Sequence, residues 1–157
     1  MTHAKEIIRE IRRDEFRDAI EIIESTKKTT EEVNDILMRG AVRYKNRLGF
    51  DHNKAFLMFA MYLVEVKGEA STIETAMDIL LNVNTDFPGR FFLAYEYQKR
   101  LIEMMPENMD VLADSLKFYD LQNPVMSESE AREVALTLEQ NGFESELGQK
   151  ILKRHRN

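Results

Sequence analysis

A chain of 157 residues with 43% apolar and 32% charged side chains can bury one sizeable core, and that balance excludes a disordered polymer. It contains no Cys, which excludes disulfides, thiolate nucleophiles and Cys-ligated zinc and suits a reducing cytoplasm, the expected location. The net charge of −6 is uneven: residues 1–50 carry +1, 51–100 carry −2 and 101–157 carry −5, so the late part repels nucleic acid and attracts basic proteins.

In chain order, Ile7, Ile8 and Ile11 predict a first helix over about 4–12. Asp14 is a candidate cap for a second over 15–24, carrying Phe16, Ala19, Ile20 and Ile23; one continuous helix is the alternative. Met1 to Arg13 lacks the apolar run of a signal peptide. Thr29 and Glu32 stand at capping-box spacing before a third helix with Val33, Ile36, Leu37 and Val42, ending near Gly49. Asp51 is a candidate cap for the fourth, which stops at Gly68. Its run Ala55–Val64 is ten residues long, about half a membrane span, and apolar on all sides, which places it at the centre of the packing with no membrane role.

Ser71 and Glu74 repeat the capping-box spacing ahead of a fifth helix with Ile73, Ala76, Met77, Leu80 and Leu81 facing inward. A turn at Asp86-Phe87-Pro88-Gly89 leads to a ring-rich sixth helix, 90–105, with Phe91, Phe92, Tyr95 and Tyr97. Asn108 caps a seventh with Val111, Leu112, Leu116 and Tyr119. Ser127 and Glu130 box an eighth with Ala131, Val134, Ala135 and Leu138, closed by Asn141-Gly142. A ninth spans about 145–154. The expected fold is therefore all-α: eight or nine helices in antiparallel hairpins, stacked as a short superhelix or compact bundle. It reads as one domain over 1–157, with N-terminal helices over 4–47 and helix pairs over 51–155.

Within 75–141, Ala94, then Leu101 with Ile102, then Pro106 and Asn108 follow at set intervals, and Tyr119, Ala135 and Leu136 continue the pattern. This stretch resembles a tetratricopeptide repeat. It departs from that family at Gln98, where an aromatic is expected, and at Asn82 and Leu116, where small residues are expected. The resemblance implies a helical-repeat adaptor that holds a peptide in a groove using Tyr95, Tyr97 and Lys99 or Arg100.

Chemistry-bearing motifs are scarce. His3, His52 and His155 have no second His at helical spacing, and neither a zincin motif nor a phosphate loop is present. The start Asn82-x-Asn84-x-Asp86 resembles a calcium loop but has Phe87 and Leu93 where Gly and Glu are needed. Neither metal nor cofactor is expected, and catalysis by paired carboxylates is the least favoured reading.

Two charged faces remain. Arg39, Arg43 and Arg47, with Lys45 nearby, form a stripe four residues apart, and Arg9, Arg12, Arg13 and Arg17 form a cluster. Either would suit nucleic acid, but internal pairing with Asp35, Glu10, Asp14 and the acidic C-terminal half is favoured. Between 103 and 146, eleven carboxylates face only Lys117 and Arg132. Glu107, Asp110, Asp114, Asp120, Glu128 and Glu130, with Tyr119 as an aromatic anchor, are the candidate partner-binding residues. The leading expectation is a non-enzymatic protein-binding module with a basic protein partner, of the immunity or antitoxin kind that covers a nuclease-like toxin. A contact between two copies through the aromatic sixth helix is a further alternative.

Overall fold

Apolar side chains three and four apart cannot all leave water unless each helix lays its stripe on another, and the chain meets that requirement twice. A computed structural model describes residues 3–45, 50–83 and 86–154, with side chains described except at 44, 45 and 50–53. It is all-α: among the described residues there are nine α-helices and no strand. The chain divides into two compact units, Met1–Arg90 and Phe91–Asn157.

The first unit contains α1 (His3–Arg12), α2 (Phe16–Ser25), α3 (Thr30–Lys45), α4 (Phe50–Lys67) and α5 (Ala70–Asp78). Sequence neighbours α1 and α2, α3 and α4, and α4 and α5 pack together, while α1 also reaches α3 and α4, and α3 reaches α5. Ile7, Ile11, Leu37, Phe56, Leu57, Phe59, Ile79 and Leu80 are fully buried. Each such side chain contributes about 1.5–3 kcal/mol of transfer free energy. The Phe16 ring meets Phe59 edge-on at 5.2 Å, tying α2 to α4.

The fourth helix is central as expected, but not apolar-buried all round. Met58, Tyr62 and Val66, four residues apart, are 50%, 42% and 52% exposed and leave one open stripe. Gly40 on α3 is packed under the Phe56 ring, so close that a Cβ there would lie 2.7 Å from Cζ. The fifth helix runs into a π-helical turn, Ile79–Val83, that buries Ile79, Leu80 and Val83. No sequence signal marked that turn. Asn82 donates to Asp78, and the Arg90 guanidinium donates to the Leu81 carbonyl at 3.3 Å.

The second unit contains α6 (Arg90–Met104, whose first residue lies in the first unit), α7 (Met109–Asp114), a 3₁₀ turn (Ser115–Phe118), α8 (Glu128–Gln140) and α9 (Glu146–Arg154). The pairs α7 with α8 and α8 with α9 pack directly. The seventh helix is shorter than its periodicity predicts. Ser115 Oγ donates back to the Leu112 carbonyl at 2.6 Å, and the chain tightens to 3₁₀ geometry there. Buried Phe118 stacks 5.3 Å from Tyr95. Its carbonyl accepts from the Val125 and Met126 amides, which folds the 119–126 loop back.

Three predicted caps form. Thr29 and Glu32 close a reciprocal box, with Thr29 N–H to Glu32 Oε2 at 2.9 Å and Glu32 N–H to Thr29 Oγ1 at 3.2 Å. Asn108 Oδ1 accepts from the Asp110 and Val111 amides, and Ser127 with Glu130 forms a second box. Three others do not form as predicted. Asp51 lies inside α4, which starts at Phe50, and α5 starts at Ala70 behind Glu69, so Ser71 is already helical.

Asp14 caps nothing on α2. It holds φ 60° and terminates α1 instead. The Asp14 amide donates to Ile11 O and the Glu15 amide to Glu10 O, the paired bonds of a Schellman reversal. Lys27 at φ 52° does the same for α2, and Gly142 at φ 66° for α8. The expectation of separate first and second helices holds, and this reversal is why. The predicted end of α3 at Gly49 lies outside the described residues.

Candidate functional site

The acidic candidates all lie in the second unit, and their surroundings differ. Glu107, Asp110, Asp114, Asp120, Glu128 and Glu130 are exposed, and Tyr119 is half-buried. Pro106 stops α6 and Asn108 starts α7, which fixes Glu107 in the connecting turn and Asp110 in the first helical turn. Both carboxylates suit the positive end of that helix. Asp114 follows one turn later.

Glu107 and Asp110 line a shallow depression of about 600 Å³ whose other walls are Met105, Pro106, Asn108, Met109 and Phe143. Phe143 arrives from the α8–α9 loop because Gly142 turns the chain in the left-handed region and the Phe143 amide donates to Leu138 O at 2.9 Å. The result is an apolar methionine and phenylalanine floor under a carboxylate rim. Methionines make adaptable contact surfaces because their side chains are unbranched and polarizable.

The remaining acids are committed elsewhere to different degrees. Glu130 Oε2 accepts from the Ser127 amide at 2.8 Å, and its Oε1 accepts from the Tyr95 hydroxyl at 3.3 Å. Its carboxyl is held below the usual carboxylate range, chiefly by the bonds from Ser127. Glu130 is thus a structural residue that joins α6 to the start of α8. Lys150 is raised above its ordinary value, mainly by Glu146 at 2.9 Å and further by the charge of Asp120. Sequence reasoning placed all seven candidates on one surface; the structure groups Glu107 and Asp110 in one depression, with Asp114 one turn on.

The floor residues Met105, Met109 and Phe143 were not singled out from the sequence. One signal was available for Phe143, since a residue following a left-handed glycine often makes an apolar contact with the helix just ended.

The rings expected to line an adaptor groove are not on offer. Tyr95 and Tyr97 are buried, with Lys99 over the first at 5.1 Å and Arg100 over the second at 5.7 Å. Burial, and then the neighbouring Glu130, push the Tyr95 hydroxyl up to about 12. Gln98, the departure from the repeat pattern, is buried too, and its Nε2 donates to the Val111 carbonyl at 2.7 Å to pin α6 to α7. Phe92 is the outward ring of α6, at 60% exposure.

In the first unit, the predicted pairing holds at two arginines. Arg39 meets Asp35 through Nε at 2.9 Å and Nη2 at 2.8 Å, and Arg9 meets Glu10 at 2.5–2.6 Å. Arg39 and Arg43 both line a cleft between α1 and α3. Arg47 and His155, and the side chains of Lys45 and His52, lie outside the described residues. Among the described residues no group of three His, Asp or Glu side chains is arranged to hold a metal ion. No described helix is long and apolar enough to cross a membrane. No family model, curated protein or solved structure matches the chain.

Proposed function

We propose that the chain is a cytoplasmic, non-enzymatic protein-binding module that docks a basic partner on the acidic surface around 107–114, in the manner of an immunity or antitoxin protein covering a nuclease-like toxin. The observation that supports this most is the Glu107 and Asp110 rim over the Met105, Met109 and Phe143 floor. The carboxylates steer a cationic partner and set its register, and the floor supplies apolar contact that is not screened by salt.

A tetratricopeptide-like adaptor is the second reading. Buried Ala94, Leu101 and Ala135 and the Asn108 cap favour it. The six-residue α7 and the exposed Leu136, which the pattern places inside, weigh against it.

The test compares the immobilised full chain with a Glu107→Lys/Asp110→Lys/Asp114→Lys variant in host lysate at low and high salt. The proposal expects a basic polypeptide retained by the parent, released as salt rises and absent from the variant. Equal retention by both chains, or retention of acidic proteins alone, overturns it.

A further inference from the structure

Asn141-Gly142 closes α8, and no other Asn-Gly pair occurs in the chain. The pair carries a chemistry of its own. Asparagine is among the chemically labile residues because its side-chain amide carbon is an electrophile within reach of the next main-chain nitrogen. Glycine at that next position hinders the attack least, having no side chain. Both residues are exposed, so water and hydroxide reach them.

The folded corner holds the reacting atoms apart in three ways. Asn141 has ψ 7°, which nearly eclipses the Gly142 nitrogen with Asn141's own amide nitrogen and keeps it away from Cβ. Asn141 Nδ2 donates to the Thr137 carbonyl at 2.8 Å, which draws the side chain back along α8. The Gly142 amide donates to the Glu139 carbonyl at 3.0 Å, so the proton it must lose is held. Gly142 at φ 66° and the Phe143 amide on Leu138 O at 2.9 Å complete the reversal. Attack therefore requires this corner to open, with the Gly142 amide leaving Glu139.

We infer that Asn141 is a site of self-modification: deamidation through a cyclic imide, gated by opening of the α8–α9 corner. In the open corner hydroxide takes the Gly142 amide proton, and the nitrogen attacks Asn141 Cγ. The N–Cγ bond forms, the Cγ–Nδ2 bond breaks, and Nδ2 takes a proton from water and leaves as ammonia. Water then adds to one of the two ring carbonyls and breaks its bond to the Gly142 nitrogen, which regains a proton. Position 141 becomes an aspartyl or isoaspartyl residue. Either form puts a carboxylate at the negative end of α8. The isoaspartyl form also lengthens the main chain by one carbon, so the Gly142 and Phe143 amides no longer reach Glu139 and Leu138 together. Phe143 then loses its place beside Met105 and Met109, and the depression loses a wall, whatever binds there.

The experiment incubates the full chain and a blocked peptide with the sequence of residues 139–145 at mildly alkaline pH. Products are mapped by peptide mass and by labelling with an isoaspartyl methyltransferase. Amide hydrogen exchange at Gly142, followed by NMR, measures how often the corner opens. Modification at Asn141 is expected in the full chain, slower than in the peptide by about ten-fold or more. That suppression should match the exchange protection of the Gly142 amide within about three-fold, because both processes need the same hydrogen bond broken. Phe143→Ala, or urea below the unfolding midpoint, should lower suppression and protection in step, each compared with the matching peptide under the same conditions. Modification as fast in the folded chain as in the peptide, or a rate at Asn141 that stays fixed while Gly142 exchange accelerates, would overturn the inference.

Discussion

Replacing Gly40 with alanine sets two opposing effects against each other. In an ordinary helix interior, Gly→Ala stabilises by about 0.5–1 kcal/mol because the unfolded chain loses freedom. At position 40, however, the new Cβ would lie 2.7 Å from Phe56 Cζ and 2.8 Å from Cδ1, well inside the 3.5–4.0 Å at which carbon atoms rest. Phe56 is fully buried, so its ring has no open space to swing into. Overpacking of this kind costs about 1–3 kcal/mol, and contact this close belongs at the upper end. The expected net change is therefore a loss of about 1–2 kcal/mol, read as a lower urea midpoint with an unchanged slope. In a Phe56→Leu background the smaller side chain makes room, and the same substitution should cost little or become stabilising. A stabilisation by Gly40→Ala in the parent chain would refute the reasoning, since it would mean that the α3–α4 contact is looser than described.

Other consequences are as direct. Lys27 occupies the left-handed region at φ 52° with a side chain that gains nothing from it, so Lys27→Gly should stabilise by about 0.5–1 kcal/mol in the same urea assay. Ser127→Ala removes the acceptor for the Glu130 amide and should cost about 1 kcal/mol, with α8 amides near its start exchanging faster. The Glu130 carboxyl is shifted down on folding, so its contribution is present above its unfolded value of 4.5 and lost as pH falls through the folded one; the stability difference between the parent and Glu130→Gln should narrow over that acid range. The Tyr95 hydroxyl, raised on folding, should ionise near 12 in an absorbance titration, and Tyr95→Phe should remove that last step.

Much of the fold was legible because helix signals here are local. Ile7 with Ile11, and Ile73 with Ala76, Met77 and Leu80, announce buried stripes by spacing alone, and all are buried. The Thr29–Glu32 and Ser127–Glu130 boxes were readable because both partners lie within one turn. The same pattern at Ser71 and Glu74 misled because α5 had already begun at Ala70. Asp14 misled for a different reason: aspartate is both a good helix starter and tolerant of left-handed backbone, and the residues beside it do not say which role applies. The π-helical turn at 79–83 and the Gly40–Phe56 contact depend on tertiary packing, to which periodicity is blind.

The candidate surface was half legible. Runs of carboxylates are visible in any sequence, so Glu107, Asp110 and Asp114 stood out as candidates. The floor beneath them was not, because Phe143 is more than thirty positions from Met109 and reaches it only through the α8–α9 reversal. Glu130 shows the converse: its charge is plain in the sequence, but the bond its carboxylate accepts from Tyr95, thirty-five positions away, is not.

The reversals after α1, α2 and α8 are closed by main-chain amides and carbonyls. A backbone-closed corner holds its angle without help from the side chains it carries outward. Exposed positions such as Lys27 and Glu144 can therefore accept a dye, a spin label or an affinity handle with the helices left in place. Corners of this kind also give the chain freedom to wander in sequence at its turns while the path of its backbone stays the same.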